Sequence, residues 1–269
     1  DELSVDDPHD EGSHFRRSPT GPRVAPPRKP VGQPSVQPRH GNGNKRRFWS
    51  AAIFVLLISG VGIRAYRDLS RPEAWAYWKE SYLAPTMTSA LIPSADFDGS
   101  GHGRRALAIS GEIGAATANW FRDRLDEGHL AAGDAVLLSS PGGDLNRAVI
   151  MGEIIRSRGL VTAVGVADAS GQVRPTYCVS ACVLVYAGGK IRYGVEGSML
   201  GVHQFEAMTP MRDPVASTQR IAGILLSYMT KMGVSSAVVE AMSATKEVRW
   251  LGPKEASAMN LITDPVGRP

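Results

Sequence analysis

Ala135-Val136-Leu137-Leu138-Ser139-Ser140-Pro141-Gly142-Gly143-Asp144-Leu145 passes from an apolar run through a glycine turn into an amphipathic stretch, Leu145–Arg158. Apolar residues that follow one another without alternation fit a strand covered on both faces. Asp144 stands where a helix N-cap belongs. Two glycines between a strand end and a helix start let the backbone approach a ligand closely. The N–H groups at the positive end of the following helix favour negative charge there. A phosphate loop is excluded, because no Gly-Lys-Ser/Thr follows the glycines. A tight turn capped by Asp144 is the plainer reading, and the stretch alone does not decide between them.

The same alternation continues on both sides. Upstream, Ala106–Ser110 reads as a strand and Ala115–Asp126 as a helix. Downstream, Val161–Val166 reads as a strand, and Ser180–Tyr186 is apolar all round, which fits a buried helix. Short strands near Lys190–Tyr193 and Met199–Val202 follow, then helices near Pro214–Met232, Ser235–Met242 and Pro253–Met259. Strands separated by helices imply a parallel sheet covered by helices, so the expected class is α/β over residues 104–269.

The 269-residue chain carries a net charge of +4, unevenly placed. Residues 1–47 hold nine Lys/Arg and six Asp/Glu, which accounts for +3, and the rest of the chain is nearly neutral. The basic excess therefore lies outside the globular part, and a nucleic-acid partner is not expected. Residues 1–47 show no apolar periodicity and are rich in Pro, Gly and Ser. They are expected to form a disordered arm, since they cannot bury enough apolar area to offset chain entropy. Such a charged, Pro-rich arm also fits recruitment of cytoplasmic partners.

Lys45-Arg46-Arg47 abuts Phe48–Ile63, sixteen residues without charge, closed by Arg64, Tyr66 and Arg67. A single membrane anchor over residues 48–66 is expected, with Trp49 and Tyr66 at its interfaces. The basic flank places residues 1–47 in the cytoplasm and the domain outside, as expected of a single-pass protein of the inner (cytoplasmic) membrane. A cleaved signal peptide and a buried soluble helix are the alternatives. Residues 67–103 are expected to be a connector. It contains a short amphipathic helix near Pro72–Lys79 and a turn over Asp96–Gly103, where a calcium loop is disfavoured by the missing later acidic ligand.

Two further features bear on chemistry. Tyr177-Cys178-Val179-Ser180-Ala181-Cys182 places Ser180 at the start of an apolar helix. It is either an N-cap or a nucleophile assisted by the helix dipole, with the Ala181 N–H as oxyanion donor. Gly201-Val202-His203-Gln204 ends a strand with a histidine, structural or a general base. His102 and His129, the other histidines beyond the arm, fall in a loop and a surface-like turn.

The order strand–Ser-Pro-Gly-Gly–helix, then Ser180 at a buried helix start, then His203-Gln204, resembles the Clp-type serine peptidases of the ClpP/crotonase fold. Trp250–Asp264 looks like the closing segment of that family. The resemblance spans residues 104–264. It implies a ClpP/crotonase-like sheet core, Ser180 as nucleophile, His203 as base, Gly143 and Ala181 as backbone oxyanion donors, and Gly142 as the residue shaping the turn. It further implies a serine hydrolase acting on peptide or protein substrates without cofactor or metal, and a homo-oligomer through the helices near 214–242. A catalytically inactive peptide-binding module of the same fold is the alternative. The family's acidic third member falls within Ser243–Val248, where no Asp occurs and Glu247 is the nearest carboxylate. Nothing in the sequence points to an ATPase partner. Cys178 and Cys182, where the family has small residues, are either buried thiols or a disulfide fixing the turn around Ser180.

Overall fold

The structure is a computed structural model and describes residues 43–97, 103–168, 170–205 and 213–266. The arm lies almost wholly outside the described residues, as does most of the Asp96–Gly103 turn. By compactness the chain divides into Asp1–Leu56 and Leu57–Pro269. Among the described residues the first unit holds only the beginning of helix α1 (Gly43–Leu69). Within its segment Arg47–Leu69 an 18-residue window has a mean hydropathy of 1.8 and no buried residue, and the segment is long and apolar enough to cross a membrane. At the helical rise its 23 residues extend about 35 Å, against a hydrocarbon core of about 30 Å.

In the second unit, α1 is followed by α2 (Pro72–Tyr82), β1 (Met87–Ala95), β2 (Arg104–Gly111), α3 (Thr117–Glu127), β3 (Ala135–Ser139), α4 (Leu145–Ser157) and β4 (Val161–Val164). Next come β5 (Val166–Ala167), β6 (Val173–Arg174), β7 (Tyr177–Val179), α5 (Ala181–Ala187), β8 (Arg192–Val195) and β9 (Met199–Val202). The chain ends with α6 (Pro214–Lys231), α7 (Ala237–Ser243), β10 (Arg249–Leu251), α8 (Pro253–Ala258) and β11 (Asp264–Val266). The main sheet has the order β1-β2-β3-β4-β8-β11. All its pairings are parallel except that of β1 with β2. The α/β reading with a parallel core is what the chain adopts.

The unalternating run in β3 now has its reason. Val136 and Leu138 enter a large core with Phe121, Leu125, Met151, Ile155 and Leu184, whereas Ala135 and Leu137 enter a smaller one with Ile92, Phe97 and Tyr193. A strand buried on both faces has no polar side to show. Helix α5 follows the same logic, because all seven of its residues are buried.

The stretch expected to be only a connector contributes β1, which pairs with β2 from Met87↔Gly111 to Ala95↔Arg104. Its sequence hid this. As an edge strand it is mostly exposed and contains Pro93, so neither alternation nor β-propensity marks it. A second sheet, β10-β9-β7, pairs β7 with β9 in parallel and β10 with β9 antiparallel.

Arg192 holds the C-terminal segment against the sheet. It is 2% exposed, and its guanidinium donates to the carbonyls of Leu261 (2.9 Å), Gly189 (3.1 Å), Met232 (3.3 Å) and Asn260 (2.7 Å). Burial, reinforced by the nearby Arg156 guanidinium, lowers its pKa to about 10. Replacing it with Met removes these donors from the carbonyls of Leu261, Gly189 and Asn260, while Met232 O keeps its bond from Arg156. We predict that Arg192→Met lowers stability by about 3 kcal/mol in urea unfolding, whereas Arg122→Met, on an exposed side chain, changes it by under about 0.5 kcal/mol.

Candidate active site

The glycine turn is stitched on two sides. On one, Ser140 N–H donates to Tyr177 O (3.1 Å) and Val179 N–H donates to Ser140 O (3.0 Å), joining the turn to β7. On the other, Ile113 N–H donates to Gly142 O (2.8 Å) and Asp144 N–H to Ile113 O (2.7 Å). Gly142 and Gly143 have φ of +102° and +134°, which side-chain-bearing residues rarely adopt. A Cβ on Gly142 would lie 2.8 Å from Ser180 Cβ and 3.1 Å from Ala181 N, so the turn rests directly against the start of α5. Asp144 caps α4 as expected, accepting from Arg147 N–H at 2.9 Å.

Ser180 connects β7 to α5 with φ 57° and ψ −125°. A non-glycine residue in such a conformation is held there by its surroundings, and such strain gathers at functional sites. Although Ser180 occupies the N-cap position, its side chain caps no helix N–H. Its own N–H donates to Gly201 O at 2.9 Å, and the residue is buried. Among the described residues, the N–H groups of Gly143 and Ala181 and the Ser180 hydroxyl take part in no hydrogen bond.

The small sheet brings the histidine alongside. Val179 is level with Gly201 in the parallel register, so Ser180 comes level with Val202 and His203 is the next residue. The half-buried His203 places Nδ1 2.6 Å from Gln204 O. A carbonyl only accepts, so Nδ1 is the donor, which in the neutral ring leaves the lone pair on Nε2. Gln204 is itself pinned, its N–H donating to Thr245 O (2.8 Å) and its Nε2 to Ser243 O (2.7 Å). Ser180 and His203 are not hydrogen-bonded to each other. Glu247 is exposed, and its carboxylate accepts from Thr245 Oγ1 at 3.2 Å rather than from His203.

Cys178 and Cys182 form a disulfide, with Cα atoms 5.3 Å apart and both side chains buried. Its ring encloses Val179, Ser180 and Ala181. The two outcomes left open by the sequence are separated by backbone shape: Cys178 lies in β7 and not in α5, so the turn at Ser180 folds it back over the first turn of the helix. The role of the Gln204 carbonyl had no signal in the sequence beyond the residue's place after His203. A cavity of about 390 Å³ between β8, β9 and α8 does not include Ser180 or His203.

Fold and site together define an α/β protein that presents a serine on a strained strand-to-helix turn. In fold the chain is similar to two structures of ClpP1 from Listeria monocytogenes, one of them a point mutant. Each is 15% identical at a TM-score of 0.47, covering 61% of this chain and 91% (mutant) or 92% of that one. No family model matches the chain, and no curated protein matches it in sequence.

Because the disulfide closes so short a loop, its contribution to stability is modest. Thiol titration of the unfolded, unreduced chain is expected to find no free thiol. The double variant Cys178→Ser/Cys182→Ser is expected to lose about 2 kcal/mol on urea unfolding.

Proposed function

We propose that the chain is a membrane-anchored serine hydrolase, a peptidase, with Ser180 as nucleophile and His203 as its base. The observation that carries this reading is the Ser180 turn itself: a buried serine with positive φ, flanked by two N–H groups without acceptors. Ser180 Oγ attacks a peptide carbonyl and gives its proton to His203 Nε2. The new oxyanion accepts from the Gly143 and Ala181 N–H groups. Collapse expels the amine, which takes the proton back from His203, and water hydrolyses the acyl-enzyme by the same route. Gly142 keeps the turn close enough for both donors to serve one oxygen.

The gap between Ser180 and His203 is consistent with a free enzyme whose catalytic hydrogen bond forms on substrate binding. Gln204 O takes the place at Nδ1 that a carboxylate holds in a full triad. Glu247 acts, if at all, at one remove, through Thr245 and Gln204. The helix α1, with its basic N-terminal flank, supports a single span with the arm in the cytoplasm and the domain in an extracytoplasmic, periplasmic space. A disulfide suits that oxidising side. Val215, Ile224 and Leu226, exposed on α6, support a homo-oligomer formed through the helices of residues 214–242.

A second reading, a non-catalytic peptide-binding module, is favoured by the missing Ser180–His203 hydrogen bond and the carbonyl at Nδ1. A fluorophosphonate probe decides between them. The wild-type chain is expected to be labelled, with labelling lost in Ser180→Ala and slowed at least about 100-fold in His203→Ala. Glu247→Gln is expected to slow it by less than about 10-fold, as befits an indirect role. Labelling that persists in Ser180→Ala overturns the nucleophile. Peptide binding without any labelling of the wild type establishes the binding module instead.

A further inference from the structure

Helix α2 has two unlike faces and almost no slack before it. Only Ser70 and Arg71 separate it from α1, and both ends of that link are hydrogen-bonded. Ser70 N–H and Oγ donate to Tyr66 O (2.8 and 2.6 Å), and Ala74 and Trp75 N–H donate to Arg71 O (3.0 and 3.2 Å).

One face is fastened to the domain. Ala74, Tyr77 and Glu80 are half-buried. The Glu80 carboxylate accepts from Ala116 N–H (2.9 Å), Thr117 Oγ1 (2.7 Å) and Thr86 Oγ1 (3.0 Å). The N-cap of α3, Ala116, has no side-chain oxygen of its own, so Glu80 supplies the cap and its charge complements the helix dipole. Tyr77 Oη accepts from Asn119 Nδ2 at 3.1 Å.

The other face has no partner from another element among the described residues. Trp75, Trp78 and Tyr82 recur at the i, i+3, i+7 spacing of one helical stripe and are 60%, 49% and 69% exposed. The rings of Trp78 and Tyr82 stack with centroids 4.7 Å apart, and Leu83 extends the stripe. Trp and Tyr are the side chains that favour the membrane–water interface, where an apolar body and a polar tip are both accommodated. Between the end of α1 and α2 the exposed Arg64, Arg67, Arg71 and Lys79 outnumber the exposed Asp68 and Glu73, leaving a positive balance suited to lipid phosphates.

We propose that Trp75, Trp78 and Tyr82 lie in the headgroup region of the bilayer that α1 spans, making α2 a collar. Because Glu80 welds the same helix to α3, the domain is held against the lipid surface in one pose instead of swinging on a tether. This rests on the reading of α1 as a span. The occupant of the stripe is therefore the phospholipid surface, continuous with the span two residues away.

The test uses the full chain in nanodiscs of phosphatidylcholine and phosphatidylglycerol, with lipids brominated near the headgroup or near the chain end. Three forms are compared: wild type, Trp75→Phe/Trp78→Phe and Trp49→Phe. Shallow bromine is expected to quench wild-type tryptophan fluorescence more than deep bromine. The Trp75→Phe/Trp78→Phe chain is expected to lose at least about half of that shallow quenching, since an interfacial helix sits at the headgroup–acyl boundary. Both substitutions are aromatic and at exposed positions, so the fold is retained. Unchanged shallow quenching in that variant, with Trp49 still quenched, overturns the collar and leaves the span standing. No Trp49-dependent quenching overturns the span itself. Chain-to-chain crosslinking at Trp75 and Trp78 in place of lipid quenching assigns the stripe to a second copy and also overturns the collar.

Discussion

The pair of hydrogen bonds between Ser140 and β7 is the constraint on which the site depends. Through them the turn at Ser140–Gly143, which closes a strand of the main sheet, becomes the neighbour of a strand in the small sheet. The geometry of the proposed site follows from that junction. It sets Gly142 against Ser180 and forces the chain into α5 through a conformation that Ser180 adopts at a cost of roughly 1–3 kcal/mol. The strain persists because both sides of the turn are fixed: the disulfide crosses it, and Gly201 O receives its N–H.

The support behind that junction is dry and close-packed. All of α5 is buried, and the two tyrosines near it spend their hydroxyls on carbonyls, Tyr186 on Tyr193 O and Tyr228 on Leu184 O. Burial raises the pKa of both phenols well above the usual tyrosine value, so they remain neutral donors. Arg192 and Arg156 share the Met232 carbonyl and bind no carboxylate there. Cationic side chains satisfied by carbonyls, and in Arg156 also by the Met232 sulfur, tie loops together without placing a carboxylate in the core.

Much of this was legible from residue order. The parallel core, the buried character of α5, the Asp144 cap and a helix long and apolar enough to cross a membrane all follow from local patterns of burial and turn chemistry, which act over a few residues. The resemblance to Clp-type peptidases selected Ser180 and His203 from the same local patterns. Elements without a local pattern stayed hidden: β1 because an exposed edge strand needs no alternation, and β7, β10 and β11 because three residues are too few to show one.

By itself, then, the sequence determined the class of fold, the turn that meets α5, and the residues between which chemistry is proposed. Tertiary structure decided what each of those groups touches. Whether Cys178 reaches Cys182 depended on whether it lay in a strand or in the helix. The acceptor at His203 Nδ1 depended on where Gln204 is pinned, which is set by Ser243, 39 residues away. Glu80 found its use as the cap of a helix 36 residues on. Contacts of that range depend on how whole elements pack, and no short stretch of residues carries them.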